Sequence, residues 1–444
     1  MRKQNKLFKK FILWYLKKAA KIQIFKIKPK IIGVGGSSGK TSLANFIFLI
    51  LKEKYKALET KGKNSESGIP LSILKIKMTN YKPLNWFKAL LIAKARVLFD
   101  FEKLDFLVCE MGIDSPFEPK NMSYLLKIIS PQIGVLTNIS LEHSENFDPL
   151  IKGNKDREKK ILDLTTREEM LLLSSISEEG TAVINLDDQI ISDNQNQILA
   201  RKITVSKKFK DANFYITGIK SNLFEFKVNF TFTNEKYSLA LKNPLPDHYA
   251  YSLVLAIAVC FTCGVSVEHS ISILKENFTL PPGRFTIFKG IKNTTLIDSS
   301  YNSSLSPLKD ALSLLKKISE NRRKVAILGD IRELGTQTRN IHEKVALEIT
   351  ENSDFAILIG PNLKNFTSPI LESKQFPFKN FNNFKEASEF ILKSIKNQDI
   401  ILVKGSQNTL FLERVVEMLL KNPEDKDKLC RRGAFWNRKR EMGQ

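Results

Sequence analysis

The sequence predicts an α/β protein: a phosphate-loop domain on a mostly parallel sheet, followed by a smaller Rossmann-like α/β domain. Three observations carry this. Short, wholly apolar runs of strand length recur, such as 104–110 (LDFLVCE), 133–138 (IGVLTN) and 181–185 (TAVIN), as expected for strands buried on both faces. A Gly/Ser loop at 33–39 stands between an Ile-rich run and an apolar helix. After Pro281, Pro282 and Gly283 the strand–helix alternation starts afresh, which marks a domain break.

The elements follow in order. Residues 24–33 are rich in Ile and are expected as the first strand, interrupted by Pro29; a helix is expected from Thr41. The stretch 203–241 alternates apolar and polar residues and predicts antiparallel strands. Residues 249–265 predict a buried helix. In the second domain strands are expected at TTLIDSS, VAILGD, FAILIG and IILVKG, with helices at 306–318, 340–351, 384–396 and 409–421. The resulting partition is 1–22, a basic amphipathic helix; 23–282, the nucleotide domain; 283–421, the second domain; and 422–444, a charged tail expected to be loose.

The chain has 444 residues, of which 42% are hydrophobic. That is enough for two packed domains and excludes a disordered protein. Four scattered cysteines, Cys109, Cys260, Cys263 and Cys430, exclude a disulfide framework and favour a reducing, cytoplasmic setting. The C-x-x-C spacing of Cys260 and Cys263 lies in an apolar helix with no second pair nearby, so core packing is expected there rather than zinc.

The net charge of +23 raises the question of nucleic acid. The lysines are spread along most of the chain without an RNA-binding aromatic motif, and no nucleic-acid partner is expected. The start is different. Residues 1–30 hold eleven basic residues and no acid, the first being Glu53. Leu7, Phe8, Phe11, Ile12, Trp14, Tyr15 and Leu16 lie among them. Such a helix over 1–22 can rest on an anionic membrane surface, or pack on the protein's own body.

Gly36-Ser37-Ser38-Gly39-Lys40-Thr41-Ser42 between a strand and a helix presents backbone N–H groups and a helix N-terminus to phosphate oxygens. Lys40 suits the β/γ-phosphates of ATP and the Thr41 hydroxyl suits Mg2+. The spacing is shorter than the common phosphate loop, since position 34 is Val.

This loop resembles that of the Mur ligase family, and further segments follow in the family's order. They are 63–70 (KNSESGIP), Glu110-Met111-Gly112, Thr137-Asn138-Ile139 with His143, Asn185-Leu186-Asp187-Asp188, Pro282-Gly283-Arg284, Asp298-Ser299-Ser300-Tyr301-Asn302, 328–335 (LGDIRELG) with His342, and Val403-Lys404-Gly405-Ser406. The last two resemble the branch that adds D-alanyl-D-alanine to a muramoyl-tripeptide carboxylate during peptidoglycan synthesis. Ser299 stands where the family has a second Asp, and Gln407 where it has Arg.

The resemblance implies an ATP-dependent, ADP-forming ligase that activates a carboxylate as an acyl phosphate and joins it to an amine. It implies Mg2+ at Thr41 and Glu110, and a second metal near His143 and a carbamylated lysine. Lys159 is the choice for that lysine, and Lys155 the alternative. Lys40, His143 and Lys159 are then catalytic. Residues 36–42, Asn185, Arg284, Asp298, Tyr301 and Asn302 bind nucleotide. Asn64, Ser65, Glu66, Asp330, Glu333 and Lys404 contact substrate. Mur ligases carry a uridine-nucleotide-binding domain ahead of the phosphate loop. Only about thirty residues precede it here, fewer than a domain needs. A monomer in the cytoplasm, peripheral to the membrane, is expected. Competing readings are another Mur-like ligase (folylpolyglutamate-like or amidating) and a non-catalytic ATP-binding partner. The LGDIRELG and VKGS segments speak against the first. The intact Lys40, Thr41, Glu110 and His143 speak against the second.

Overall fold

The structure, a computed structural model, describes residues 2–61, 63–78, 80–141, 144–147, 150–151, 156–406 and 410–442. The chain divides into two compact units: residues 1–218, 229–239 and 250–278 form the first, and 219–228, 240–249 and 279–444 the second.

Along residues 2–277, which carry the first unit, with parts of β7, β8, β9 and α8 counted in the second, the order is α1 (Arg2–Ile27), β1 (Lys30–Gly35), α2 (Lys40–Leu51), β2 (Ala57–Glu59), α3 (Gly68–Ile73), α4 (Pro83–Phe99), β3 (Phe106–Glu110), α5 (Met122–Leu126), β4 (Ile133–Leu136), α6 (Arg157–Ser174), β5 (Thr181–Asn185), α7 (Gln189–Asn194), β6 (Arg201–Ser206), β7 (Phe214–Ser221), β8 (Phe226–Phe232), β9 (Glu235–Leu241), α8 (His248–Thr262) and α9 (Val267–Asn277). The sheet runs β2-β3-β1-β4-β5-β6-β7-β8-β9. Its β2-to-β7 pairs are parallel. Strands β3 and β4 are buried along their whole length, because helices cover both faces of a parallel sheet. β8 instead alternates in burial, with one face on the core.

Register fixes where the loops emerge. Val34 pairs with Glu110 and Gly35 with Leu136. The carboxyl ends of β1, β3 and β4 therefore stop at one level, the edge where open α/β sheets bind ligands.

Two expectations for this unit are corrected. The strand expected at 24–33 is helix as far as Ile27. Its Leu16, Ala20, Gln23 and Ile27 share one buried stripe, and helical periodicity outweighs the Ile content. Pro29 disfavours the helical conformation at Lys28, which has φ 47°, and the strand begins at Lys30. The antiparallel sheet expected from 203 onward starts later. β6 joins β5 in parallel and β7 joins β6 in parallel, since β6 completes the α/β crossover. Only β7, β8 and β9 are linked by short turns, the second through Thr233 and Asn234, both at positive φ.

The second unit contains β10 (Thr286–Lys289), β11 (Thr295–Ser299), α10 (Leu305–Ile318), β12 (Lys324–Gly329), α11 (Thr338–Asn352), β13 (Phe355–Ile359), α12 (Ser368–Ser373), β14 (Phe378–Phe381), α13 (Phe384–Ser394), β15 (Ile400–Lys404), α14 (Glu413–Leu419) and α15 (Ala434–Met442). Its sheet runs β10-β11-β15-β12-β13-β14, parallel except for the β10 edge. The expected strands and helices are present, the last helix over Glu413–Leu419, and the short elements β10, β14 and α12 are added.

The tail is not loose. Leu429, Cys430 and Arg431 are buried. Arg431 pairs with buried Glu413 at 2.9 Å and donates to the carbonyl of Tyr301 and, at 3.4 Å, to that of Ser300. Charge in the sequence suggested solvation; here one charge is neutralised in the interior by a partner on α14.

Candidate active site

The loop between β1 and α2 is shaped by two glycines. Gly36 has φ 116° and Gly39 φ 81°, a region costly for residues with a Cβ. A Cβ on Gly36 would also lie 2.2 Å from the Thr137 hydroxyl. The loop is braced from β4's end: Ser37 N–H donates to Asn138 O at 2.8 Å, and Ser38 N–H to Asn138 Oδ1 at 3.1 Å. Ser37 Oγ accepts from Ser140 N–H at 2.8 Å. From below, Gly36 N–H donates to Glu169 Oε2 at 2.8 Å. Lys40 folds its ammonium back onto the carbonyls of Gly36 and, at 2.8 Å, Ser37. An ammonium held by carbonyls at a helix N-terminus can be exchanged onto phosphate oxygens.

Beside the loop, Glu110 ends β3. Its Oε1 accepts from the Thr41 hydroxyl at 3.0 Å and from Asn64 Nδ2 at 3.1 Å. Its backbone N–H donates to Thr60 Oγ1 at 3.1 Å. Glu110 is buried, and among the described residues its Oε2 has no hydrogen-bond partner. A buried carboxylate oxygen left without a donor, next to a Thr hydroxyl at a phosphate loop, fits a Mg2+ ion, which takes hard oxygen ligands. The carboxyl of nearby Glu59 is raised to about 7, first by burial and then by the charge of Glu110.

Several expected site residues take part in the framework. Asn185 spends its amide on Thr137 O at 3.1 Å and accepts from Asp187 N–H. Asp188 accepts from Ile139 N–H at 3.0 Å. Ser65 Oγ accepts from Gly68 N–H at the start of α3. Glu66 is buried, 3.8 Å from exposed Lys9. Lys159 is exposed on the first turn of α6. His143, Lys155 and Gln407 lie outside the described residues. Cys260 and Cys263 are buried.

In the second unit, Arg284 stacks on the Tyr301 ring at 4.9 Å. Lys404 is buried at the end of β15, with Nζ 3.0 Å from Asn302 O and 3.3 Å from Ser299 Oγ. Asp298 has no exposed surface; its Oδ1 accepts from Ser300 N–H at 3.0 Å, and burial raises its carboxyl to about 6. Asp330 accepts from Leu363 N–H at 2.9 Å and Asn362 N–H at 3.0 Å. His342 is fully buried, its Nε2 accepts from Ile331 N–H at 3.2 Å, and Nδ1 faces Thr338 O at 2.7 Å. Those partners fix the neutral tautomer with hydrogen on Nδ1, and burial lowers its pKa. Glu333 has φ 61° within the LGDIRELG segment.

Sequence reasoning missed Glu169, Thr60, Glu413 and Arg431. Glu169 was findable, since it lies at i, i+4, i+8 spacing with Ile161 and Thr165 on α6's buried stripe. The Glu413–Arg431 pair carries no local signal.

This geometry suits nucleotide phosphates and their Mg2+, and comparison with known proteins gives the class. The profile of the Mur ligase middle domain matches residues 34–260, and that of the Mur ligase glutamate ligase domain matches 283–407. The chain belongs to the Mur ligase family, the ATP-dependent, ADP-forming ligases of amide bonds. It is 25% identical over 408 residues, 90% of this chain and 79% of the relative, to the UDP-N-acetylmuramoyl-tripeptide--D-alanyl-D-alanine ligase of Buchnera aphidicola. The ligase of the same name from Borreliella burgdorferi is also 25% identical, over 92% of this chain and 78% of its own. The fold matches the MurF ligase of Thermotoga maritima in complex with ADP, with a TM-score of 0.74, 21% identity, and coverage of 93% of this chain and 84% of that one.

Proposed function

We infer that this chain joins D-alanyl-D-alanine to the free carboxylate of a muramoyl-tripeptide, cleaving ATP to ADP and phosphate. The observation that carries the reaction type is Glu110 at the phosphate loop, bonded to Thr41 and Asn64 with one buried oxygen left over. The substrates are supported by the names of the relatives, and by the LGDIRELG and VKGS segments of the second unit.

The substrate carboxylate attacks the γ-phosphorus, ADP departs, and an acyl phosphate results. The amine then attacks the acyl carbon, loses a proton, and expels phosphate. Residues 36–42 hold the phosphates through backbone N–H groups, and Lys40 neutralises charge on the transferring group. Mg2+, held by Thr41 and Glu110, supplies further positive charge on the phosphoryl oxygens when bound. Lys159, as a carbamate, and His143 are assigned to a second metal. Asn64 orients Glu110, and Ser65 and Glu66 lie on the carboxylate substrate's side. Asn185 and Asp298 act by positioning the loops they hydrogen-bond, while Arg284, Tyr301 and Asn302 contact nucleotide. Asp330, Glu333 and Lys404 serve the amine substrate. Domains are assigned to 23–282 and 283–421, with α1 running past 22 to Ile27 and the tail beyond 421 packed on the second unit.

The enzyme is placed in the cytoplasm as a monomer, where ATP is available, with residues 1–22 touching the anionic inner face of the membrane. In support, no helix among the described residues is long and apolar enough to cross a membrane, while α1 is basic and half apolar. The test is phosphate release from ATP with UDP-muramoyl tripeptide and D-alanyl-D-alanine. Release should require both substrates, and release indifferent to D-alanyl-D-alanine would overturn the assignment.

A further inference from the structure

α1 and α4 pack side by side, sharing Ile12, Leu16 and Ala19 with Ala89 and Ala93 in one small core. α1 also caps α4: Gln23 Nε2 donates to Asp100 O at 2.9 Å, and Lys26 donates to the carbonyl of Val97. The two helices are therefore fixed as a pair. Each buries one stripe and leaves the opposite stripe apolar and exposed. On α1 that stripe includes Phe11, Trp14 and Phe25; on α4 it is Leu84, Phe87, Leu91 and Leu98, each more than half exposed. The α4 spacing of three, four and seven is one helical face. Because Ile12, Leu16 and Ala19 of α1 and Ala89 and Ala93 of α4 turn to the shared core, both exposed stripes face away from it.

We propose that α1 and α4 together form a two-helix platform that docks on an anionic lipid surface. This rests on the membrane reading of α1 and deepens it, making α4 an equal contributor. Isolated exposed apolar residues need no explanation, but a long exposed apolar stripe on each of two helices fixed as a pair does. Charge selects the occupant. Residues 1–30 carry eleven basic residues and 81–99 carry four, with no acid in either segment. Lys10, Lys17 and Lys21 follow one another along one side of the α1 stripe, and Lys88 and Lys94 flank that of α4. A basic rim around an apolar face suits anionic headgroups above acyl chains. A second copy would bring the same basic rim against itself. Neither helix is apolar enough to span, so the platform lies in the surface.

The test is co-sedimentation of the full chain with phosphatidylcholine vesicles, with and without phosphatidylglycerol, at low and high salt. Binding should require phosphatidylglycerol and weaken with salt. Leu84→Ser/Phe87→Ser/Leu91→Ser in α4 and Phe11→Ser/Trp14→Ser in α1 should each weaken it by roughly tenfold or more, with ATP turnover in lipid-free solution unchanged. An α4 variant that binds like the parent would overturn the platform while leaving α1 alone as the contact. A parent chain that ignores phosphatidylglycerol vesicles would overturn both readings. A concentration-dependent dimer in sedimentation velocity, lost in both variants, would make the face a self-interface instead. Ligase activity is measured separately, so its failure is distinguishable from failure to bind lipid.

Discussion

The Thr41 hydroxyl donates to Glu110 Oε1 at 3.0 Å, joining the first turn of the helix behind the phosphate loop to the end of a neighbouring strand. That bond leaves Glu110 Oε2 buried and without a partner among the described residues. Glu110→Gln keeps an acceptor for Thr41 and Asn64 but puts an amide where a cation would bind. The variant should fold normally, turn over ATP about a hundredfold more slowly, and need more Mg2+ for half-maximal rate. An unchanged Mg2+ titration would remove the metal role.

Among the described residues the Lys40 ammonium bonds the loop carbonyls of Gly36 and Ser37, and it is no part of the core. Lys40→Ala should therefore leave the melting temperature within a few degrees and lower ATP turnover by roughly a hundredfold or more. Near-normal turnover by the folded variant would end its assignment to the phosphates.

Lys159 is exposed at the start of α6, accessible to carbon dioxide. Lys159→Ala should be inactive, rescued poorly by bicarbonate and partly by a short carboxylic acid. Full activity of the untreated variant would shift the role to Lys155 or remove it.

Asp298 offers a pH test. Its carboxyl is raised from 3.8 to about 6 by burial. The folded state thus holds the proton more tightly than the unfolded chain. Its contribution to stability is fully present below about pH 4 and lost as pH rises through about 6. Asp298→Asn keeps an acceptor for Ser300 N–H and cannot ionise. Relative to the parent, its stability should climb across that window by up to about 3 kcal/mol and level off above it. Thermal denaturation at a series of pH values measures this, and a difference independent of pH would refute it.

Arg431 and Glu413 form a buried pair. Arg431→Met strands the Glu413 carboxylate and frees the Ser300 and Tyr301 carbonyls. It should destabilise the second unit by about 3–5 kcal/mol. Adding Glu413→Leu should restore much of that loss, which separate unfolding transitions by calorimetry would register.

The sequence by itself determined the α/β class, the order of most strands and helices, and the phosphate loop with Glu110 at a strand end. Each of these is local. A buried parallel strand is a short apolar run, a glycine loop before a helix is visible in consecutive residues, and motif order survives without coordinates. Tertiary structure decided what depends on partners far away in the chain. Residues 24–27 became helix because Ala20, Gln23 and Ile27 continue the buried stripe of α1, with Ala20 and Ile24 in the core of the large sheet and Gln23 bonded to Asp100 O beyond α4, a helix not evident in the sequence. β6 became parallel because it pairs with β5 across a crossover, and β7 joins its other edge in parallel too. Glu169 came to hold Gly36 from 133 residues away. Arg431, in a segment whose charge predicted solvent, found Glu413 inside. A side chain's character sets which environments it tolerates, but only packing supplies the partner that makes a buried charge or an unfavoured conformation affordable.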